Sequence, residues 1–130
     1  MGLHLQFSTT ADGVRAAFIP RPEHQGFEHV VHGGIISTVL DEAMAWAIAA
    51  AGIWAVTGEM RVRFRNPLHV GEATTVAATV DTSRGRLITA SATLTRDVDG
   101  APIATATGTF MRVNPETEAA WRARYISDGS

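Results

Sequence analysis

Residues 29–50 read HVVHGGIISTVLDEAMAWAIAA, and this stretch decides how the rest of the chain can fold. At about 100° per residue, the apolar side chains of residues 35–51 spread almost all the way around a helix, which is typical of a helix wrapped by other elements. The apolar run over 35–56 is about as long as a membrane-spanning helix, but Asp41 and Glu42 near its middle would each cost about 2.5–3.5 kcal/mol in a bilayer. The pattern therefore predicts a buried helix in a soluble, cytoplasmic protein without a membrane partner.

The segments around this helix show the patterns of strands. Residues 20–31 hold two prolines and predict an irregular loop, and Asn114-Pro115 predicts the start of a short helix over 115–125. Strands are predicted over residues 3–8, 13–19, 60–65, 73–83, 86–97 and 101–113. Because only one long helix is available to cover this sheet, the sequence predicts an α+β fold with an antiparallel sheet wrapped around one central apolar helix.

Length and composition exclude several classes of protein. A chain of 130 residues predicts a single domain over 1–130, with 114–130 as a tail or short helix. Its 11 basic and 13 acidic side chains give a net charge of −2, which argues against a nucleic-acid partner. The chain has no cysteine, so thiolate nucleophiles and cysteine-ligated metals are excluded.

The cluster with the most chemical potential is His32-Gly33-Gly34 followed by Asp41. Glycines at a loop-to-helix junction let a backbone amide approach a ligand, and a helix N-terminus favours the oxyanion that forms when a carbonyl is attacked. Asp41 shares a helical stripe with Ser37, whereas Glu42 points about 100° away. Two structural interpretations stay open: Gly-Gly as a tight turn, and Asp41 as an acid paired with an arginine of a neighbouring strand.

The histidine-rich loop invites a metal interpretation that its spacing does not support. His24, His29 and His32 follow H-x4-H-x2-H, which matches no familiar zinc pattern, so we expect no metal site and no cofactor. Arg61, Arg63 and Arg65 alternate with Met60, Val62 and Phe64, which predicts a strand with one buried and one solvated face. The arginines predict either that solvated face alone or a contact with phosphate or a second subunit.

The stretch HVVHGGIISTVLDEAMAWA, with FRNPLHVGE and ATATGTFMRV, resembles the hot-dog-fold acyl-CoA thioesterases of the phenylacetate-degradation type. The resemblance covers roughly residues 10–113. It implies hydrolysis of an acyl-CoA substrate and a homo-oligomer, a dimer or dimer of dimers, with active sites at the subunit interface. In such dimers the two sheets join into one.

The resemblance also implies roles for individual residues. The family's carboxylate, general base or nucleophile, falls on Asp41, and the carbonyl-polarising amide falls on Gly33, beside His32. The family's hydroxyl residue, nine positions before Asn66-Pro67, falls on Thr57, which is expected to reach the site from the partner subunit. Residues expected to contact substrate are Gly34, Ser37, Gln25, Gly26, Arg84 and Arg86, the two arginines through the phosphates of coenzyme A.

The chain departs from the family at one position. Many relatives carry Asn or Gln six residues before the HGG histidine, where this chain has Gly26, with Gln25 next to it as a possible substitute. A protein that binds acyl-CoA without hydrolysing it is therefore an alternative, and a hydratase or dehydratase a weaker one. A set of large side chains can either line an acyl pocket or belong to the core, namely Phe27, Met44, Trp46 and Trp54.

Overall fold

A computed structural model of the protein describes residues 5–126. Its main sheet has six antiparallel strands: β1 (Ser8–Thr9), β2 (Gly13–Phe18), β5 (Ala55–Phe64), β6 (Thr74–Arg84), β7 (Leu87–Arg96) and β8 (Pro102–Arg112). Their order across the sheet is β1-β2-β6-β7-β8-β5. A separate hairpin pairs β3 (Gln25–Phe27) with β4 (Val30–Val31), and the helices are α1 (Gly33–Ala50) and α2 (Pro115–Trp121). The predicted α+β hot-dog fold is confirmed.

Helix α1 forms the core with one face of the sheet. Its buried side chains include Leu40, Ala43 and Met44, none of which has measurable exposure. On β7, Ile88, Ala90, Ala92 and Leu94 are buried beneath the helix, while Thr89, Ser91 and Thr93 on the opposite face are half-buried. Of the described helices, α1 is the one whose length and hydropathy would allow a membrane span, and here it is the core helix.

Strand β5 forms one edge of the sheet and runs back alongside α1, so that its end at Phe64 lies next to Gly33 at the helix start. It pairs with β8 in a register that sets Thr57 opposite Phe110 and Phe64 opposite Ala104, with an irregularity between Thr57 and Glu59. Phe110 and Ala104 are buried on the helix side, so Thr57 and Phe64 belong to that face too. Within the described chain, the outer edge of this ten-residue strand has no pairing partner.

The structure corrects several predicted boundaries. The loop expected over 20–31 contains the β3–β4 hairpin, whose turn holds Glu28 and His29 at φ values of 45° and 66°. The strand predicted over 3–8 is limited to Ser8–Thr9, and positions 3 and 4 lie outside the described residues. Strand β5 begins five residues before the predicted 60–65, because residues 55–59 are an exposed edge without alternating burial. The other predicted elements are confirmed to within one or two residues, apart from the helix over 115–125, which becomes a π-helical turn after Trp121.

Candidate active site at the helix start and on the β5 edge

His32 caps helix α1 and leaves one backbone amide without an acceptor. Its backbone is extended (φ −60°, ψ 135°), and its ring Nδ1 accepts a hydrogen bond from the Gly34 N–H at 2.8 Å. Its carbonyl oxygen accepts from Ile35 N–H at 3.0 Å and Ile36 N–H at 3.3 Å. Among residues 5–126, no acceptor bonds the N–H of Gly33. This amide lies in the first turn, where the helix dipole favours negative charge, so it can donate to an oxyanion.

The second glycine makes room for the capping ring. A Cβ on Gly34 would lie 2.9 Å from His32 Nδ1, so a larger residue would displace the cap. The Gly34 amide is already bonded to that ring, so its contact with substrate stays a prediction. Gly26 also lies against His32: a Cβ there would be 3.1 Å from the His32 Cα. Gly26 thus lies beside the helix start but offers no side-chain amide, and its contact with substrate stays a prediction.

Asp41 is held by Thr57 of the same chain. The Thr57 hydroxyl donates to Oδ1 of Asp41 at 3.1 Å, joining the third turn of α1 to the start of β5. Thr57 therefore contacts the carboxylate of its own chain. That it reaches a site completed by the partner subunit stays a prediction. The expectation of a structural ion pair is not met, since no basic side chain among residues 5–126 forms a salt bridge with Asp41. Asp41 is a half-buried carboxylate with a neutral partner.

Gly33 and Asp41 of one chain cannot act on one carbonyl. They are eight residues apart on a straight helix, which separates them by about 12 Å along its axis. The structure brings together Asp41 with Thr57, and Gly33 with Phe64, but not these two pairs with each other. Ser37 lies half-buried one turn before Asp41, and Gln25 is exposed on β3; their roles stay predictions.

An apolar pocket of about 380 Å³ opens beside the Gly33 amide, and we call it the Phe64 pocket. Its apolar lining is Val30, Val31, Ile36, Phe64, Pro67 and Leu68. A Cβ on Gly33 would lie 3.4 Å from Cζ of Phe64, so the ring borders the amide directly. The sequence analysis missed these residues: the alternation of Phe64 with the arginines marked a buried face, but only the fold shows that this face ends at the helix start.

None of the four large side chains proposed as pocket residues lines the Phe64 pocket. Met44 is in the core, and Trp46 is 53% exposed and stacks on Phe7. Trp54 packs edge-on against Trp121, and Phe27 is exposed on the β3–β4 hairpin. Their predicted alternative, a place in the core, holds for Met44.

Four of the arginines considered as phosphate contacts lie in two separate places. Arg84 and Arg86 are exposed at the turn between β6 and β7, and the Arg86 carbonyl accepts from the Arg112 N–H at 2.7 Å. Because Arg112 pairs with Ala55, this group lies at the Thr57 end of β5. Arg61 and Arg63 pair with Thr107 and Thr105 on the sheet face away from α1.

The contacts of His24 are those of a residue that stabilises the fold. His24 is buried, packs on Phe18 at 5.5 Å, and its Nδ1 accepts from the Arg21 N–H at 3.0 Å. Within residues 5–126, no three His, Asp or Glu side chains converge as a metal ion would require.

A charged network fixes the loop that carries Pro67 and Leu68. Glu72 accepts from the His69 backbone N–H at 2.8 Å and from Arg96 at 3.3 Å. The His69 amide is the main cause that lowers the pKa of Glu72, and Arg96 adds to it. Arg96 also bonds Asp99, which raises the pKa of the guanidinium.

Comparison with known proteins agrees with this architecture. The family model of the thioesterase superfamily matches residues 28–103. Zebrafish thioesterase superfamily member 2 has a TM-score of 0.76 at 24% identity, over 85% of this chain and 81% of that one. The PaaI protein of the Escherichia coli phenylacetic acid degradation operon gives 0.77 at 18%, over 83% and 82%.

A hypothetical thioesterase from Streptococcus pneumoniae, solved with coenzyme A, gives a TM-score of 0.79 at 15% identity, over 85% of this chain and 87% of that one. No curated protein matches the chain significantly. The family model covers more than half of the chain, including the HGG cap, Asp41 and Thr57. The chain therefore belongs to the thioesterase superfamily.

Proposed function

We propose that the protein hydrolyses acyl-CoA thioesters to a free acid and coenzyme A. The observation that carries this proposal is the hydrogen bond from Thr57 to Asp41. Partial burial of a carboxylate lowers the stability of the folded protein unless the carboxylate has a hydrogen-bonding or charged partner. Here a neutral hydroxyl orients one oxygen, and no ion pair within residues 5–126 neutralises the group, so the second oxygen is available for chemistry.

Two mechanisms use these groups, and both need the Gly33 amide to donate to the carbonyl oxygen as negative charge develops. As a general base, Asp41 takes a proton from water while the water oxygen bonds to the thioester carbon. The C–S bond then breaks and the sulfur of coenzyme A receives that proton. As a nucleophile, Asp41 bonds to the carbon and displaces the thiolate, and water cleaves the resulting anhydride.

Either mechanism requires a Gly33 amide and an Asp41 carboxylate close to the same carbonyl. One chain does not provide this, but two copies of the chain can. We infer a homodimer in which the free edges of two β5 strands pair antiparallel. A two-fold axis near Met60 and Arg61 then brings Thr57 of one subunit beside Phe64 of the other. Each site consists of the Gly33 amide and Phe64 pocket of one subunit with Asp41 and Thr57 of its partner. Two such dimers can associate further into a tetramer, which we include in this proposal.

The arginines at the β6–β7 turn fit the nucleotide end of coenzyme A. Arg86 lies two strand spacings from β5 and about two residues beyond Thr57, which places it about 12 Å from the Thr57 backbone. Arg112, between them, has a buried Nε with no hydrogen-bond partner in the described part of the chain. With the pantetheine arm lying between Asp41 and this turn, Arg84 and Arg86 would meet the phosphates.

The decisive experiment compares two adjacent acids by release of free thiol from a panel of acyl-CoA substrates. Asp41→Asn keeps the shape of the side chain and removes the base or nucleophile, so we expect kcat to fall by about 10²–10⁴-fold with substrate binding retained. Glu42→Gln, the matched control, should retain most of the activity because Glu42 points to another side of α1. Full activity of Asp41→Asn would refute the carboxylate mechanism.

A binding protein without turnover is the second candidate, and Gly26 is the observation that favours it. The family's amide side chain is replaced there by hydrogen, packed against His32. Tight binding of acyl-CoA by the unmodified protein, without thiol release from any substrate, would establish this alternative in place of hydrolysis.

A further inference from the structure

The Phe64 pocket differs in chemistry from everything else around the Gly33 amide. Its floor is formed by residues of the core: Leu68 has no exposure, and Val31 and Ile36 are 3% and 4% exposed. Its outer wall is the Phe64 ring, which is 53% exposed. Its polar side chains are Arg65, which is exposed, and Asn66, which already donates from Nδ2 to the carbonyl oxygen of Pro102 at 2.7 Å. The pocket therefore offers apolar contact and few hydrogen bonds.

The position of the pocket restricts what can occupy it. A carbonyl oxygen bound at the Gly33 N–H has two substituents on its carbon: the sulfur that leads to the pantetheine arm and the first carbon of the acyl group. The pantetheine arm carries amides that need hydrogen-bond partners when they are buried. A hydrocarbon needs none and gains from burial against Ile36, Phe64 and Leu68.

We propose that the Phe64 pocket holds the acyl group of the substrate and that Phe64 is the residue that limits its length. This inference rests on the proposed function, because it assumes that the thioester carbonyl binds at Gly33. A volume of about 380 Å³ is near the lower end of the range of about 300–1,000 Å³ for ligand pockets. The preferred substrates are therefore thioesters of short to medium apolar acyl groups, and longer chains extend past Phe64 out of the pocket.

The test measures binding separately from hydrolysis. In the Asp41→Asn background, titration calorimetry is carried out with coenzyme A analogues bearing saturated acyl chains of increasing length. Affinity should rise by up to about fourfold for each added methylene and then level off when the pocket is full. Phe64→Ala should move this plateau to longer chains, and Phe64→Trp should move it to shorter ones. Ile19→Ala, at a large apolar side chain of similar exposure (57%) outside the pocket, should leave the plateau unchanged.

The outcomes separate this inference from the proposed function. If the two Phe64 variants fold, as their thermal unfolding would show, but neither moves the plateau, the pocket assignment is overturned even where the unmodified protein hydrolyses acyl-CoA. An affinity for acyl-CoA no greater than that for coenzyme A would overturn it as well. If the plateau moves in opposite directions in the two variants while the unmodified protein releases no thiol, the pocket assignment holds and hydrolysis is refuted.

Discussion

At the scale of single residues, Thr57 contacts Asp41 directly. Its hydroxyl is the donor to Oδ1, and this bond crosses from the exposed edge strand to the core helix. Hydrogen bonds to charged groups are worth about 1.5–3 kcal/mol, which is enough to fix the orientation of the carboxylate. Thr57 is therefore a positioning residue in our proposal.

Removing this hydroxyl should slow catalysis without weakening substrate binding. Thr57→Val keeps the shape and loses the donor, so we expect kcat to fall by roughly 10- to 100-fold with little change in KM. Thr57→Ser restores the donor and should recover most of the activity. Thr105→Val, on the sheet face away from α1, serves as the control in the same steady-state assay. Equal losses for Thr57→Val and Thr57→Ser would indicate a packing effect instead.

At the scale of elements, the loop after β5 is tied to β7 by charge. Glu72 and Arg96 hold the segment that places Pro67 and Leu68 in the pocket, and the Glu72 side chain is 30% exposed. Because the pKa of this carboxyl is lowered in the folded protein, its contribution to stability is present above the ordinary value of 4.5 and disappears as the pH falls through the folded pKa.

The charge state of Glu72 should therefore be visible in unfolding experiments. Glu72→Gln should lower the midpoint of thermal unfolding at neutral pH by a few degrees at most, since the pair is partly solvated. Its difference from the unmodified protein should shrink as the pH falls below 4.5 and then through the lowered pKa of the folded state, because the carboxyl becomes protonated in both states. Circular dichroism melts across this range measure the effect, with the more exposed Glu59→Gln as the control. A loss independent of pH would argue against the charge as its origin.

At the scale of the whole molecule, the separation of Gly33 from Asp41 makes the subunit interface the central question. Gly33 occupies the first helical position, where proline is well tolerated, and the extended backbone of His32 is compatible with a following proline. Gly33→Pro thus removes the amide while α1 is retained, and Gly33→Ala keeps the amide as a matched control.

Mixing two inactive proteins should restore activity if the site is shared. After subunit exchange between Asp41→Asn and Gly33→Pro, half of the dimers are mixed, and each mixed dimer has one complete site of two. Thiol release should then return to about a quarter of the unmodified level. No recovery, with exchange verified by mass, would place Gly33 and Asp41 in one subunit's site; a monomer in light scattering at micromolar concentration would also contradict the shared site.

The sequence by itself determined the fold and much of the site. All-round apolar character between 35 and 51 could be satisfied only by a surrounding sheet, and Thr/Val-rich strands supplied it. The HGG cap and Asp41 could be recognised because both are local features of the sequence. The first is the pattern of a helix start, and the second is a charged residue in an otherwise apolar helix. Strand boundaries were predicted less accurately where the strand is exposed. Residues 55–59 and the β3–β4 hairpin lack alternating burial, so an alternating apolar pattern does not reveal them.

Only the tertiary structure decided which of these groups meet. Thr57 lies 16 residues from Asp41, and their contact depends on how the turn after Gly52 returns β5 alongside the helix. Because β5 runs back along the helix, Phe64 lies against Gly33. The resulting pocket is lined mainly by residues that no sequence motif had indicated. Such contacts are set by strand register and helix packing, which combine many weak interactions over long separations. No local pattern encodes these contacts, whereas the distance between the Gly33 amide and the Asp41 carboxylate follows directly from the eight residues of helix between them.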